Sequence, residues 1–321
     1  MKIAIPDTWL EARNHLLPVL RRATDPADPM LTPAHLASEA NPENILIRRP
    51  FLPLLSQLLV IDRREYRTYV KTKHLHRWEV TIDEAFQWAA QTIDPTDGLT
   101  RRSDGLYHLA SDDGYQSSRL LLSHWLNAFT SHLARPVAAV PDARVLLVGD
   151  ADDVQQLEKL VTLADHGFRN GGKPISPVLY GPDKDGALIV WRPPKDHPLR
   201  PAQEFAQRHL AAYEYSNQRY NLSELVEEEI AKVTLSRNKA TRRSFTYCRW
   251  KKGRSTLLAQ TDYIIIESPE ADDLVLPMTV FLEHCPDLLR RTEFEPTLYA
   301  TLSWPPPSKM TRLRQLGTTV S

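Results

Sequence analysis

The residues of this chain best suited to chemistry are cations. Between Glu229 and Asp262 the sequence contains nine basic residues and no acidic one. Aromatic residues interleave with them, and the two-residue period of a strand would place Phe245, Tyr247 and Arg249 on one face. The predicted binding patch, called the basic segment below, consists of Arg237, Lys239, Arg242, Arg243, Phe245, Tyr247, Arg249, Lys251, Lys252 and Arg254.

Three interpretations of the basic segment stay open at this point. Cations beside aromatic rings can follow a phosphate backbone or stack on single-stranded bases, which predicts a nucleic-acid partner. The same charges can bind an acidic protein surface. Alternatively, Phe245 and Tyr247 face the core, while the basic residues form a solvated rim or pair with the acids of Glu227-Glu228-Glu229.

A second group of polar residues lies at a predicted turn before a helix: Asp112, Asp113, Gly114, Tyr115, Ser118 and Arg119. Two carboxylates beside an arginine can perturb each other's pKa, and a helix N-terminus offers free N–H groups. The structural interpretation is simpler, because Asp113 can cap the helix, Gly114 can make the turn and Arg119 can hold it.

A metal site is not predicted. His74 and His76 share one side of a predicted strand, but nothing supplies the other ligands of a zinc ion. His124 and His132 are eight residues apart on a predicted helix, which separates them by roughly 12 Å.

Asp150, Asp152 and Asp153 lie between a predicted strand and a predicted helix, where a ligand or metal could bind. Acidic residues at a helix N-terminus are also favoured by the helix dipole, which is the structural interpretation of these residues. Gly171-Gly172-Lys173 lacks the remaining residues of a phosphate loop and is interpreted as a helix stop.

Catalytic motifs are also missing from the sequence. Ser117 and Ser118 are not in Gly-x-Ser-x-Gly, and neither Cys248 nor Cys285 stands in a recognisable protease context. We therefore expect no catalytic residue and no cofactor, with an enzyme whose site lies near Asp113 or Asp150 as a remaining alternative.

The composition is that of an ordinary folded protein. Basic and acidic residues are both 40, so no global field attracts the chain to nucleic acid or to an anionic membrane. A length of 321 residues favours two domains. Two cysteines, no signal peptide and no long apolar run predict a cytoplasmic protein without a membrane span. Abundant Arg and 25 Pro suggest a bacterial source.

Hydrophobic periodicity predicts the elements of an N-terminal α+β domain over residues 1–195. Capping boxes at Thr8/Glu11 and Thr81/Glu84 open two of the helices. The helices are expected at 9–19, 82–93, 122–133 and 151–168, and the strands at 45–48, 55–62, 66–71, 106–110, 144–148, 177–180 and 187–191.

A proline-rich link at residues 193–201 separates this from a C-terminal domain over 196–321. That domain is expected to contain helices at 203–220 and 222–233. A basic hairpin should follow, pairing 243–250 with 255–267 across a turn at Lys251-Lys252-Gly253. The tail after Trp304 is expected to be mobile. The predicted fold is thus α+β with two domains, in which helices pack on mixed or antiparallel sheets.

Three stretches resemble the YtpQ-like family of bacterial proteins. They are the strand-turn-helix at 106–122, with Asp113-Gly114-Tyr115-Gln116-Ser117-Ser118-Arg119-Leu120-Leu121, then Ala139 to Val148, and the hairpin at 175–191. The resemblance covers residues 75–195. It implies a fold for the N-terminal domain and a bacterial cytosolic setting, and it carries no catalytic residue or activity over to this chain.

The sequence therefore predicts a non-catalytic binding or adaptor protein of the bacterial cytosol with a protein partner. A nucleic-acid-binding protein that uses residues 232–254 is the first alternative, and an enzyme with a non-obvious site is the second.

Overall fold

The structure is a computed structural model that describes residues 5–24, 42–63, 66–93, 99–110 and 113–320. The protein is α+β, as predicted, with helices packed on antiparallel and mixed sheets. The chain divides into two compact units between Gln207 and Arg208. The predicted proline-rich link at 193–201 ends inside the first turn of the helix Arg200–Leu222, where proline costs no backbone hydrogen bond.

The first unit begins with a four-stranded antiparallel sheet and three short helices. These elements are α1 (Trp9–Ala12), β1 (Leu16–Arg22), β2 (Arg48–Leu52), β3 (Leu55–Arg63), β4 (Tyr66–Tyr69), α2 (Thr72–Trp78) and α3 (Ile82–Ala89). The central strand β3 pairs with β1, β2 and β4. Its residues 55–61 are buried without interruption, because both faces of the strand are covered. Leu59 and Ile61 pack with Phe86, and Leu58 and Val60 pack with Tyr115.

A six-stranded antiparallel sheet follows in the same unit. Its elements are β5 (Leu99–Arg101), β6 (Tyr107–Leu109), β7 (Pro136–Asp142), β8 (Val145–Asp150), α4 (Val154–Asn170), β9 (Leu179–Pro182) and β10 (Leu188–Val190), in the strand order β10-β9-β7-β8-β6-β5. The helix α4 packs on the sheet through Leu157, Leu160 and Ala164. The predicted hairpin before the proline-rich link is confirmed as β9 and β10, with Gly186 at a φ of +82° in the turn.

Several predicted elements of this unit are confirmed in type. The helix after Thr81 is α3, and its capping box forms, since Glu84 N donates to Thr81 Oγ1 at 3.2 Å and Thr81 N donates to Glu84 Oε2 at 2.8 Å. The helix expected at 151–168 is α4, whose N-cap is Asp153.

The helix predicted over 9–19 is wrong beyond Ala12. The chain leaves α1 there and enters β1, which pairs with β3 from Leu16 opposite Ile61 to Arg22 opposite Leu55. Local periodicity suggested a helix, but the backbone of β3 offers hydrogen-bonding partners to this segment. Pro18 also disfavours a helix interior, and together these two factors favour the strand.

The helix predicted over 122–133 is also wrong. Two short 3-10 segments, Gln116–Leu121 and Trp125–Phe129, occupy this region, and His124 between them has a left-handed φ of +57°. The apolar residues that suggested a helical stripe, including Trp125 and Phe129, are nevertheless buried. The apolar periodicity therefore predicted burial correctly and the helix incorrectly.

The second unit contains two more sheets. After α5 (Arg200–Leu222), its elements are β11 (Glu229–Ile230), β12 (Thr234–Arg237), β13 (Ser244–Lys251), β14 (Thr256–Ala259), β15 (Tyr263–Ser268), β16 (Ala271–Pro277), α6 (Met278–His284), β17 (Leu289–Arg291), β18 (Leu298–Thr301), α7 (Pro307–Leu316) and β19 (Thr318–Val320). The smaller sheet has the order β11-β14-β18-β17, and the larger has the order β12-β13-β15-β16-β19.

One face of the larger sheet forms the core of this unit. Cys248 and Trp250 from β13 pack with Ile264 and Ile266 from β15, and with Phe281 from α6. The Trp250 ring lies edge-on to Phe281, with ring centroids 5.9 Å apart. Because successive strand residues point to opposite faces, the alternate residues of β13 and β15 form a second face, which is only partly buried.

The predicted basic hairpin requires a correction. β13 and β14 follow each other across Lys251-Lys252-Gly253, but they belong to different sheets. β13 instead pairs antiparallel with β12 and parallel with β15. The basic hairpin of the structure is therefore β12 and β13, with its turn at residues 238–243.

Two other predictions for this unit are wrong. The second helix, expected at 222–233, does not form, because α5 ends at Leu222 and the chain enters a turn and then β11. The tail after Trp304 was expected to be mobile, but it forms α7 and β19, and β19 pairs with β16. Burial of Leu313 against the sheet holds this segment in place. Within the described ranges, no helix is both long and apolar enough to cross a bilayer.

His74 in α2 provides a test of the first unit. The residue is 4% exposed, and its Nδ1 accepts a hydrogen bond from Lys71 N at 2.9 Å. Burial, with help from the positive charges of Lys73, Arg77 and Lys71, lowers the pKa of His74 to about 4. In the unfolded chain the pKa is about 6.5, so only the unfolded state gains a proton between pH 6.5 and 4.

We expect protonation of His74 in the unfolded chain to have no effect on the free energy of unfolding above pH 6.5 and to lower it by about 3 kcal/mol as the pH drops to 4. Urea unfolding of the wild type and of His74→Gln at pH 7 and pH 4.5 measures it, since the variant should lose less stability over this range. His166→Gln, an exposed site on α4, is the control. Equal pH dependence of wild type and His74→Gln would contradict the assignment.

Candidate functional site

The structure places the basic segment along one strand and divides its charges between the two ends. Arg237, Lys239, Arg242 and Arg243 lie at the turn between β12 and β13, called the basic tip below. Arg249, Lys251, Lys252 and Arg254 lie at the other end of β13. At roughly 3.3 Å per residue, the length of β13 separates the two groups by roughly 20 Å. The eight cations of the basic segment are therefore two groups in space.

Acidic residues neutralise part of the second group. The guanidinium of Arg249 pairs with Glu267 and, at 3.4 Å, with Asp273. Lys252 pairs with Glu270 at 3.0 Å. These partners come from β15, β16 and their connecting turn, whereas the acids predicted to pair with the basic residues were Glu227-Glu228-Glu229. Lys251 and Arg254 at this end are exposed.

The conformation of the basic tip is held by hydrogen bonds between its own side chains and backbone. Asn238 Oδ1 accepts hydrogen bonds from the N–H groups of Ala240 and Thr241, each at 2.9 Å. Arg237 Nε donates to the carbonyl oxygen of Arg242 at 2.7 Å. All four cations of the tip are exposed, and no ion pair joins them to an acid among the residues that the structure describes. Their charges are therefore available to a partner.

Three aromatic rings lie on the partly buried face of the larger sheet, called the aromatic face below. The centroids of Phe245 and Tyr247 are 6.2 Å apart, and Phe245 is edge-on to Tyr263 at 5.7 Å. The guanidinium of Arg249 lies 5.6 Å from the centre of the Tyr247 ring. This grouping agrees with the predicted common face of Phe245, Tyr247 and Arg249, and it adds Tyr263 from β15, which is 38% exposed.

Asp262 positions the aromatic face. Its carboxylate accepts hydrogen bonds from Thr246 N at 2.7 Å and Thr246 Oγ1 at 2.9 Å, and it receives a bidentate pair from Arg208 at 3.0 and 3.2 Å. Burial raises the pKa of Asp262, but the hydrogen bonds from Arg208 and Thr246 outweigh burial and keep it below its usual value. Since Asp262 directly precedes β15, this clamp sets Tyr263 beside Tyr247.

Neither Asp262 nor Tyr263 was predicted from the sequence as a site residue. Asp262 appeared there only as the end of the acid-free stretch, and Tyr263 was part of a single long predicted strand. The break between β14 and β15 was the signal that could have identified them, because Gln260-Thr261-Asp262 interrupts two apolar runs with polar residues.

The polar turn at Asp113 forms as the simpler interpretation predicted, except that Asp113 does not cap a helix, because Tyr115 is the N-cap of the 3-10 segment and no side chain caps it. Asp112 lies outside the described residues. Asp113 Oδ1 accepts from Tyr115 N at 2.7 Å, and its other oxygen pairs with Arg119 at 2.6 Å. Gly114 has a φ of +76°, which a residue with a side chain rarely adopts. A cavity opens beside this turn, and Arg67 forms part of its wall.

The remaining candidate residues also have structural partners. Asp150 accepts the backbone N–H groups of Ala134, Arg135 and Asp152 at 2.7, 3.1 and 3.0 Å. Burial raises the pKa of Asp150, but these three hydrogen bonds lower it further than burial raises it. Asp153 caps α4, with Gln155 N at 3.0 Å and Gln156 N at 3.1 Å. Both carboxylates therefore order a helix and its preceding loop.

The described part of the chain contains no group of three His, Cys, Asp or Glu side chains that could hold a metal ion. Burial raises the pKa of the Cys248 thiol to about 11, so the thiol is protonated at neutral pH. Cys285 is also buried, and its pKa is raised by the same cause.

The role of Asp262 can be measured directly. In Asp262→Asn the charge that holds Arg208 is lost, which should weaken the junction of β13 and β15 by about 2 kcal/mol. We expect the β13 amides to exchange with deuterium about thirtyfold faster in the variant. Asp272→Asn, at an exposed position near the start of β16, is the control. Unchanged exchange in both variants would show that Asp262 does not hold the strands together.

No family model matches this chain, and the searches of curated proteins and of solved structures gave no match either. The resemblance of residues 75–195 to the YtpQ-like family therefore stays a prediction.

Proposed function

We propose that this chain is a non-catalytic binding protein that docks a protein partner on the aromatic face of its second unit. The observation that carries the proposal is the ring cluster of Phe245, Tyr247 and Tyr263, which stays partly exposed while the opposite face of the same strands is buried. Tyrosine, phenylalanine and arginine are enriched at the centres of protein interfaces. Arg249 beside Tyr247 completes such a centre.

The charges around the rings favour a protein over nucleic acid. Glu267 and Asp273 lie on the same face as Arg249 and pair with it. A phosphate backbone crossing this face would meet two carboxylates, whereas a protein surface can supply complementary groups for charges of both signs. The basic tip adds an exposed positive rim, so an acidic patch on the partner is the expected complement.

Single-stranded nucleic acid is the second candidate, and the basic tip is the observation that favours it. Four exposed cations adjoin Phe245, the first ring of the aromatic face. A strand could place its phosphates at the tip and stack bases on the rings. Binding of this kind would weaken steeply with salt, because counterions are released when phosphates are neutralised.

We place this binding protein in the cytosol of a bacterial cell. Cys248 and Cys285 are both buried and unpaired, which suits a reducing compartment. An enzyme with a site near Asp113 or Asp150 is the third hypothesis; the carboxylates of both residues already have structural partners.

The proposal is tested by affinity capture of the tagged chain from bacterial lysate, with and without nuclease treatment. Three variants are compared: Tyr247→Ser/Tyr263→Ser on the aromatic face, Lys239→Glu/Arg243→Glu at the basic tip, and Tyr220→Ser as a control. Tyr220 is 83% exposed on α5. The affinity of the captured partner for each variant is then measured with purified proteins.

We expect a stoichiometric protein that survives nuclease and that binds the aromatic-face variant at least about a hundredfold more weakly, as for hot-spot aromatic residues. The control should bind like the wild type. Recovery of nucleic acid alone, lost at high salt and in the basic-tip variant, would replace the first candidate by the second. A partner whose affinity is unchanged in the aromatic-face variant would rule out this face as the docking surface.

A further inference from the structure

A cavity of about 350 Å³ lies in the first unit, beside the turn at Asp113. Its wall includes four basic side chains and one carboxylate: Arg21, Arg67, Arg144, Lys173 and Asp113. These residues come from β1, β4, the β7–β8 turn, the segment after α4 and the turn before the first 3-10 segment. Segments that are distant in sequence thus bring their cations to one concave site.

Two of the cations are held in fixed positions by the fold. Arg21 is only 7% exposed; its Nε donates to the Tyr69 hydroxyl at 3.1 Å, and its Nη1 donates to the carbonyl oxygen of Leu20 at 2.8 Å. Arg67 lies over the Tyr115 ring at 4.1 Å and donates to the carbonyl oxygen of Asp113 at 3.3 Å. Their guanidinium groups are therefore ordered before any ligand arrives, which reduces the entropy cost of binding.

Asp142 brings the other two cations together. Its carboxylate is 8% exposed and accepts the backbone N–H of Arg144 at 3.0 Å and of Lys173 at 2.7 Å. Both side chains are exposed, and neither forms a hydrogen bond or an ion pair within the described residues. A buried carboxylate thus fixes two backbone segments whose side-chain charges remain available to a ligand.

Positive charge exceeds negative charge among the described residues of the cavity wall, which carry four cations and one carboxylate. Arg67 pairs with Asp62 at 3.1 Å, and Asp113 pairs with the buried Arg119 behind the wall. The exposed side chains of Arg144 and Lys173 have no acidic partner within the described residues, so their two positive charges match a dianion.

We propose that this cavity binds a phosphate dianion, either free or as the terminal group of a small phosphorylated molecule. Arginine suits this role because its planar guanidinium can form two hydrogen bonds to the oxygens of one phosphate. The cavity lies within the size range of small-molecule sites, so an organic group attached to the phosphate also has room. The site is separate from the aromatic face and does not depend on its function.

The test is calorimetric titration of the full chain with inorganic phosphate and with glycerol 3-phosphate, at pH 5 and pH 7.5. Arg144→Ser/Lys173→Ser removes two wall cations that are exposed and lie outside the buried core, so the variant should fold. Lys184→Ser/Arg192→Ser removes the same charge at exposed positions of the same unit and is the control.

We expect saturable binding that is at least about tenfold weaker in Arg144→Ser/Lys173→Ser and unchanged in the control, as for the loss of charge-assisted hydrogen bonds. Binding of glycerol 3-phosphate should also be tighter at pH 7.5, where its second proton is lost. Tighter binding of glycerol 3-phosphate than of phosphate would identify the phosphorylated molecule as the ligand, and equal binding would identify the free anion. Absence of saturable binding, or equal weakening in the control, would overturn the proposal.

Discussion

The carboxylate of Asp262 is the interaction on which the second unit depends. It joins a helix to two strands, because Arg208 of α5 and Thr246 of β13 both donate to it directly before β15 begins. A half-buried carboxylate is costly unless its hydrogen-bonding capacity is filled. Four donors from two residues fill it here. The parallel pairing of β13 with β15, and with it the grouping of three rings on one face, follows from this junction.

The first unit uses carboxylates in a similar way. Asp142 fixes two backbone segments, and Asp113 holds the turn that leads to Arg119. Buried arginines require acceptors, so each of these acids stabilises the position of a cation or its backbone. Cations accumulate beside the turn as a result, and a concave site with surplus positive charge forms where several connections meet. The two units thus offer two kinds of surface, one aromatic and open and the other cationic and enclosed.

The sequence was most informative where local signals were complete. The capping box at Thr81 and Glu84 identified α3, and the glycine-containing turn before Ala187 identified the hairpin of β9 and β10. Apolar periodicity was less reliable. Of the residues predicted to form a helical stripe at 122–133, Trp125, Leu126 and Phe129 are buried on a 3-10 segment, and those predicted to be helical at 16–19 lie in β1. Periodicity records which residues face a core, whereas the available hydrogen-bonding partners decide the backbone conformation.

The candidate sites divide in the same way. The sequence by itself determined the nine cations between Glu229 and Asp262 and the alternation that puts Phe245, Tyr247 and Arg249 on one face, because a strand has a period of two. Only the tertiary structure decided that the cations form two groups, that Glu267 and Asp273 neutralise one of them, and that Tyr263 joins the rings. Strand pairing brings together residues distant in the chain, and local sequence does not encode which strands pair.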